Sequence, residues 1–272
     1  MTLIERLGAL FPDASRRSYK QWLDLGRVRV NGNVVRRGNA EVGAADRVEL
    51  GTPPPPVFPA ALRRVYEDDD VIVIDKPPGL LTIATESERE RTAYRMLTDY
   101  VAGQRGRRLF IVHRLDRETS GLVVFAKSAT TKRALQAQFE ARAVERRYAA
   151  VVEGRIVEGS GTLHSRLRVD RSLRVRPTRR RNEGKEAITT YRVVQHRRDT
   201  SVLELSLTTG RRGQIRAQLA ALGHPIVGDT AYGATRDPLR RICLHATRLS
   251  FMSPPGRRMS FDSPIPTSFA RV

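Results

Sequence analysis

The strongest constraint on the fold is an apolar run that follows directly on a polar, charge-dense string. The run is Leu122-Val123-Val124-Phe125-Ala126, and its β-branched and aromatic residues predict a buried strand. The string before it is His113-Arg114-Leu115-Asp116-Arg117-Glu118-Thr119-Ser120-Gly121, whose polarity predicts a loop. The sequence therefore predicts a charged loop that a rigid strand delivers to a site.

One carboxylate, Asp116, lies in this loop between Arg114 and Arg117. Nearby positive charge favours the ionised form of a carboxyl group, even a partly buried one. We therefore expect Asp116 to be a permanently charged oxygen nucleophile or base. The alternative is an ordinary solvated cluster of ion pairs, since charged side chains are mostly exposed.

The pattern His-Arg-Leu-Asp-x-x-Thr-Ser-Gly of residues 113–121 resembles the signature of the RluA-type pseudouridine synthases. These enzymes isomerise uridine in ribosomal or transfer RNA. The resemblance implies that Asp116 is catalytic. It also implies that the reacting nucleotide is flipped out of the RNA base stack and that Arg114 contacts its backbone. It also covers Tyr148, in a strand of the form Tyr-x-Ala-x-Val-x-Gly that ends at Gly154. The resemblance implies that Tyr148 faces Asp116 and stacks on the reacting base, with a candidate part in its final proton loss.

The string Thr209-Gly210-Arg211-Arg212-Gly213-Gln214-Ile215-Arg216 is similar to the family pattern Thr-Gly-Arg-Thr-His-Gln-Ile-Arg. The similarity implies that Arg216 pairs with the catalytic aspartate. A strand before Gly210 and a helix after Gly213 place basic residues, Arg211 among them, at a helix start, which is an anion-binding arrangement. The chain departs from the pattern at Arg212 and Gly213, which puts in doubt any contact of the family histidine. Leu244 matches an apolar residue that lines the pocket.

Residues 1–50 predict a small α/β module with two helices, a strand that enters an Asn31-Gly32 turn, and a closing strand. This order resembles the S-four-like RNA-binding domain. Its candidate RNA-binding residues are Arg16, Arg17, Lys20 and Arg27. The alternative is that these are solvated surface charges. Residues 51–60 predict a stiff proline-rich linker, and residues 61–272 a pseudouridine synthase catalytic domain.

The net charge of +20 predicts a polyanionic partner, most simply RNA. The basic residues are 44 arginines and five lysines, and a GC-rich genome can produce this preference for arginine. Such a preference does not explain the excess of basic over acidic residues. A single cysteine excludes an intrachain disulfide, and the five scattered histidines predict no metal site. With no membrane-spanning run and no signal peptide in the sequence, we expect a cytoplasmic protein, and we expect it to be a monomer.

The family resemblance implies an α+β fold with a central mixed, largely antiparallel sheet and flanking helices. It implies an RNA pseudouridine synthase that acts most simply on large-subunit ribosomal RNA. No cofactor is expected, because the isomerisation oxidises nothing and transfers no group out. The alternatives are a transfer-RNA target, a non-catalytic RNA-binding factor associated with the ribosome, or a hydrolase that uses a lone aspartate.

Overall fold

A computed structural model describes residues 1–52, 57–104, 108–170, 174–180, 182–254 and 256–272. The four prolines of the predicted linker, residues 53–56, lie outside the described residues. The chain divides into two compact units, Met1–Val57 with Asp99–Arg107 and Phe58–Thr98 with Arg108–Val272. The domain boundaries given above and the identity of the N-terminal module remain predictions.

The N-terminal residues form a helical pair and a small sheet. The elements are helices α1 (Leu3–Leu10) and α2 (Arg16–Asp24) and strands β1 (Val28–Val30), β2 (Asn33–Val34) and β3 (Val48–Leu50). Thr2 and Glu5 form a capping box at α1, and the Ser15 hydroxyl caps α2. The β1–β2 turn has positive φ at Asn31 (51°) and Gly32 (83°), the geometry that an Asn-Gly hairpin favours. Local sequence signals thus account for this unit.

The rest of the chain is built around one large sheet. In chain order its elements are β4 (Arg63–Glu67), β5 (Val71–Lys76), α3 (Ala93–Ala102), β6 (Phe110–Ile111), β7 (Ser120–Ala126), α4 (Ala129–Glu140), β8 (Glu145–Glu153), β9 (Ser160–Val169), β10 (Val175–Thr178), β11 (Lys185–His196), β12 (Thr200–Leu207), α5 (Gln214–Ala221), β13 (Leu244–Met252) and β14 (Arg258–Asp262). Two short 3-10 helices, Thr230–Tyr232 and Thr267–Arg271, complete it.

Eleven of the described strands form this sheet, in the order β10-β9-β11-β12-β8-β13-β7-β5-β4. Strand β14 pairs with β13, and β6 pairs with β7. The pair β7–β13 is parallel, and the other pairs are antiparallel. The predicted α+β fold with a mixed, largely antiparallel sheet is confirmed. No helix of the described ranges is both long and apolar enough to cross a bilayer.

The predicted buried strand is the centre of the core. Strand β7 is buried at every residue, and Leu122 and Val124 belong to a cluster with Leu135 of α4. The Ser128 hydroxyl caps α4 by accepting a hydrogen bond from the backbone of Thr131 at 3.0 Å. A strand packed in this way is a rigid base for the polar loop that precedes it.

Gly121 is required where β7 meets β13. Its φ is +112°, and a Cβ built there would lie 2.3 Å from the carbonyl oxygen of Ala246. We expect Gly121→Ala to lower the free energy of unfolding by about 2–3 kcal/mol, because it adds backbone strain to a steric clash. Urea denaturation measures the loss. The control is Gly159→Ala, where a Cβ meets nothing within 4 Å; equal effects of the two changes would contradict the prediction.

Two regions differ from the sequence predictions. Residues 176–185 are the densest basic segment of the sequence, which predicts an exposed loop, but this segment begins in strand β10, which pairs with β9 and tolerates Pro177 because it lies at the sheet edge. The sequence at 242–246 predicts a final strand, but the strand that forms begins at Leu244, continues to Met252 and pairs with β14. A register shift between Ala246 and Arg248 interrupts the alternation of this strand, which hides its length in the sequence.

Candidate active site

A cavity of about 310 Å³ opens where the loop before β7, strands β8 and β13 and the start of α5 meet. Its lining includes every site residue predicted in the catalytic domain: Arg114, Asp116, Tyr148, Arg211, Arg216 and Leu244. These residues come from four separate segments of the sequence. The structure therefore brings six of the ten predicted site residues to one place, and the other four lie in the N-terminal unit.

The loop that carries Asp116 is held by contacts on both sides of that residue. The Thr82 hydroxyl donates to the carbonyl of Leu115 at 2.8 Å and accepts from its N–H at 3.2 Å. The ammonium of Lys76 donates to the carbonyls of Pro77, Leu80 and Arg117. Burial lowers the pKa of Lys76 to about 7. These contacts fix the backbone around a carboxylate whose side chain is 21% exposed and so remains open to a ligand.

Arg216, in the first turn of α5, lies between two carboxylates. Its Nη1 is 3.9 Å from Oδ2 of Asp116, the pairing that the family resemblance implies. Its Nε and Nη2 each donate to Asp229 at 2.7 Å, and the guanidinium lies 4.8 Å from the ring centroid of Tyr232. Burial lowers the pKa of Arg216, but the hydrogen bonds and charge of Asp229 outweigh it and leave the pKa raised. The guanidinium is therefore a fixed positive charge beside Asp116.

Tyr148 lies on β8, where its cross-strand neighbours are Leu205 and Ala246. The residue is buried, and this burial raises the pKa of its hydroxyl to about 12. Tyr148 is therefore a neutral phenol near pH 7. It can stack on a base or donate a hydrogen bond. Because the neutral hydroxyl already carries a proton, it can accept a proton from the base only if it gives up its own at the same time.

His113, Phe139 and Arg146 are among the residues of the cavity that were not predicted from the sequence. His113 stacks on Phe139 with ring centroids 4.7 Å apart, and its Nε2 accepts from the N–H of Val124. Burial lowers the pKa of His113 to about 3, so its ring is neutral. Arg146 precedes Tyr148 by two residues and shares its face of β8. The spacing of two residues from Tyr148 was therefore the sequence signal that could have placed Arg146 at the site.

The segment before α5 is fixed by Gln214. Its Oε1 accepts hydrogen bonds from the Thr209 hydroxyl at 2.8 Å and from the N–H of Arg211 at 3.0 Å. Gly213, at the position of the family histidine, is the N-cap of α5 with φ of 58°. A Cβ at Gly213 would lie 3.0 Å from the Tyr232 hydroxyl. In this chain the backbone at Gly213 therefore lies close to Tyr232, and no side chain replaces the family histidine.

The four predicted RNA-binding residues of the N-terminal unit lie near the start of α2 and just after it. Arg16, Arg17 and Lys20 are exposed. Arg27 is half-buried, because its Nε donates to the carbonyl of Gly51 at 3.1 Å and its guanidinium lies 6.0 Å from the Trp22 ring centroid. The first three side chains are thus free to reach solvent, whereas Arg27 is partly engaged within its own unit.

Residues 70–221, more than half of the chain, match the family described as RNA pseudouridylate synthase. The match spans Asp116, Tyr148 and Arg216. The chain belongs to this family. The activity predicted from the string around Asp116 is thereby confirmed: the protein is a pseudouridine synthase, an isomerase that acts on RNA.

Similarity to curated members of the family extends over nearly the whole chain. The ribosomal large subunit pseudouridine synthase D of Pasteurella multocida is 33% identical over 99% of this chain and 89% of that protein. The protein of the same name from Escherichia coli K12 is 34% identical with the same coverage. Among solved structures, human RNA pseudouridylate synthase domain containing 1 superposes with a TM-score of 0.63 at 25% identity, covering 75% of this chain and 84% of that one.

Proposed function

We propose that this synthase isomerises specific uridines of large-subunit ribosomal RNA, with Asp116 as the reacting carboxylate. The observation that carries the proposal is the convergence of Asp116, Tyr148 and Arg216 on one cavity of about 310 Å³. Its volume is within the range of small-ligand sites and suits one pyrimidine nucleotide. The ribosomal target is supported by relatives 33–34% identical over 99% of this chain that carry that name.

The reaction breaks the C1′–N1 bond of uridine, turns the detached uracil, and forms a C1′–C5 bond. The proton on C5 is lost and N1 gains one, so the atoms balance and no oxidant or group donor is consumed. The reacting atoms lie within the base stack of the RNA, so the nucleotide has to be flipped into the cavity. Asp116 then acts beside the sugar, either as a nucleophile at C1′ or as a base toward a sugar proton.

The other predicted residues of the cavity orient Asp116, hold the base or contact the RNA backbone. Arg216, held by Asp229, keeps a positive charge 3.9 Å from Asp116 and orients the carboxylate. Tyr148 provides the face on which the uracil stacks, and Leu244 completes the apolar wall. The exposed Arg114 and Arg211 contact the phosphates on either side of the flipped nucleotide.

The N-terminal unit supplies a second RNA contact. Arg16, Arg17 and Lys20 project from the first turns of α2, where the helix dipole also favours phosphate. Such contacts raise affinity without reading sequence, and they weaken as salt is added. We place the enzyme in the cytoplasm, as a monomer, because its proposed substrate is ribosomal RNA and the cavity is complete within one chain.

Pseudouridine mapping by carbodiimide adducts tests the target. Total RNA from cells with and without the gene is compared, and the strain lacking the gene is complemented with wild type or Asp116→Asn. The expected result is the loss of one or more adducts in large-subunit ribosomal RNA, restored by wild type alone. Loss confined to transfer RNA would replace the ribosomal target, and an unchanged map in both RNAs would overturn the proposal.

A further inference from the structure

Arg146 is a buried cation without a counter-ion among the described residues. The residue is 8% exposed, and no ion pair of the described ranges includes it. Its Nη2 donates to the carbonyls of Leu207 and Thr208, both at a long 3.3 Å, and its Nε has no hydrogen-bond partner. Burying a charge in this way is strongly unfavourable unless something else pairs with it.

The surrounding chain makes room for this guanidinium. A Cβ on Gly210 would lie 2.4 Å from Nη1 of Arg146, so a side chain at that position would displace the arginine. On its other side, the guanidinium lies 5.4 Å from the ring centroid of Phe139. Gly210, Phe139 and Arg146 all line the cavity that holds Asp116 and Tyr148. A buried polar group that is left incompletely paired in a cavity calls for a functional explanation.

We propose that Arg146 is a further catalytic residue, whose guanidinium binds the uracil and stabilises the negative charge that the base carries once it is detached. The inference rests on the proposed function. When the C1′–N1 bond breaks, its electron pair stays on N1 and spreads onto the O2 and O4 oxygens of the ring. This charge arises whether Asp116 acts as nucleophile or as base, so the role of Arg146 is independent of that choice.

The position of Arg146 favours the base over a backbone phosphate. The exposed arginines of the same cavity are Arg114, Arg211 and Arg212, and the first two are the proposed phosphate contacts. Arg146 is instead buried beside Tyr148, on the same face of β8, next to the surface proposed to stack on the uracil. A preorganised donor acts most strongly in such a water-excluded place, on charge that develops during the reaction.

Single-turnover kinetics with saturating RNA tests the inference. The variants are Arg146→Met, Arg146→Lys and the matched control Arg212→Met, which removes an exposed arginine of the same cavity. Each is measured on RNA with uridine or 5-fluorouridine at the target position, by nuclease digestion and mass spectrometry. Because fluorine replaces the C5 proton that the reaction loses, the readout for 5-fluorouridine is the rate at which that nucleoside is consumed rather than the yield of pseudouridine. Fluorine at C5 withdraws electrons and stabilises the detached base as an anion, so a substrate that carries it depends less on the enzyme for that stabilisation.

We expect Arg146→Met to slow the conversion of uridine by about 10²–10³-fold, the usual cost of removing one donor to a developing anion. The loss relative to wild type should be clearly smaller on 5-fluorouridine, and Arg146→Lys should recover part of the rate. RNA affinity should stay near the wild-type value, and the melting temperature should not fall, because the change removes an unpaired buried charge. Arg212→Met should keep the same rate ratio on both substrates.

Three outcomes would overturn the role of Arg146. Equal losses on both substrates with a lower melting temperature would make it a structural residue. A loss confined to RNA affinity, with a shallower salt dependence, would make it a phosphate contact. Unchanged rates would remove it from the reaction. Failure of the wild-type enzyme to convert any uridine would instead overturn the proposed function, and this inference with it, which separates the two failures.

Discussion

Asp116→Asn abolishes pseudouridine formation, by a factor of at least about 10⁴, if the carboxylate is the reacting group. The amide has nearly the same shape but is neither a nucleophile nor a base at neutral pH. RNA affinity should be unchanged or slightly higher, because the substitution removes a negative charge from a cavity lined by Arg114, Arg146 and Arg216. A large loss of rate with intact binding is the pattern of a group that acts in the transition state.

Conversion and affinity should be measured on the same RNA, by carbodiimide mapping and by gel shift. The matched control is Glu118→Gln, which removes one negative charge from the same loop but does not line the cavity. We expect this control to retain turnover. If the asparagine variant turned over at the wild-type rate, Asp116 would have no part in the chemistry; if both variants lost turnover equally, charge in the loop rather than the carboxylate would be the cause.

The parts of the site that can be predicted from the sequence are the residues that lie within continuous motifs. The Asp116 loop precedes a strand whose apolar run identifies it, and Tyr148 begins the apolar run 148–152 of a second strand. Arg216 is placed by the Gly213 cap and the helix that follows. Strands β7 and β8 are both neighbours of β13 in the sheet, so their pairing brings the Asp116 loop close to Tyr148, and α5 supplies Arg216.

The parts that could not be predicted depend on tertiary contacts. Arg146 follows the same alternation as Tyr148, but only the structure shows that it has no ion-pair partner among the described residues. The full length of β13 was not predicted because a register shift against β8 near Ala246 disrupts the alternation of this strand. Asp229 lies in a turn after α5, and nothing in its local sequence indicates that it binds Arg216.

Asp229 is nevertheless the stronger partner of Arg216. The carboxylate is 1% exposed and accepts two hydrogen bonds at 2.7 Å, whereas Asp116 lies at 3.9 Å. This geometry holds the guanidinium so that only its Nη1 faces the reacting carboxylate. Asp229 therefore acts as a positioning residue, which sets the location of a charge without touching the substrate.

Asp229→Asn should lower both stability and rate. Removing the charge of Asp229 leaves Arg216 with only the more distant Asp116 to balance it, which costs about 3 kcal/mol of unfolding free energy, the lower end of the cost of breaking a buried pair. At temperatures where the variant stays folded, the maximal rate should fall by about 10²-fold, because a displaced Arg216 no longer aligns Asp116. Urea denaturation and single-turnover kinetics measure the two effects, and RNA affinity should be unaffected.

The control is Asp237→Asn, which changes an exposed carboxylate of the same segment. It separates the loss of Arg216 positioning from a general loss of stability. It should leave the maximal rate unchanged and cost little stability. A purely structural role for Asp229 predicts that the folded fraction of the variant reacts at the wild-type rate, and that result would contradict the prediction. A slow reaction in fully folded protein with normal RNA affinity would instead mean that the bidentate contact with Arg216 maintains the geometry on which Asp116 depends.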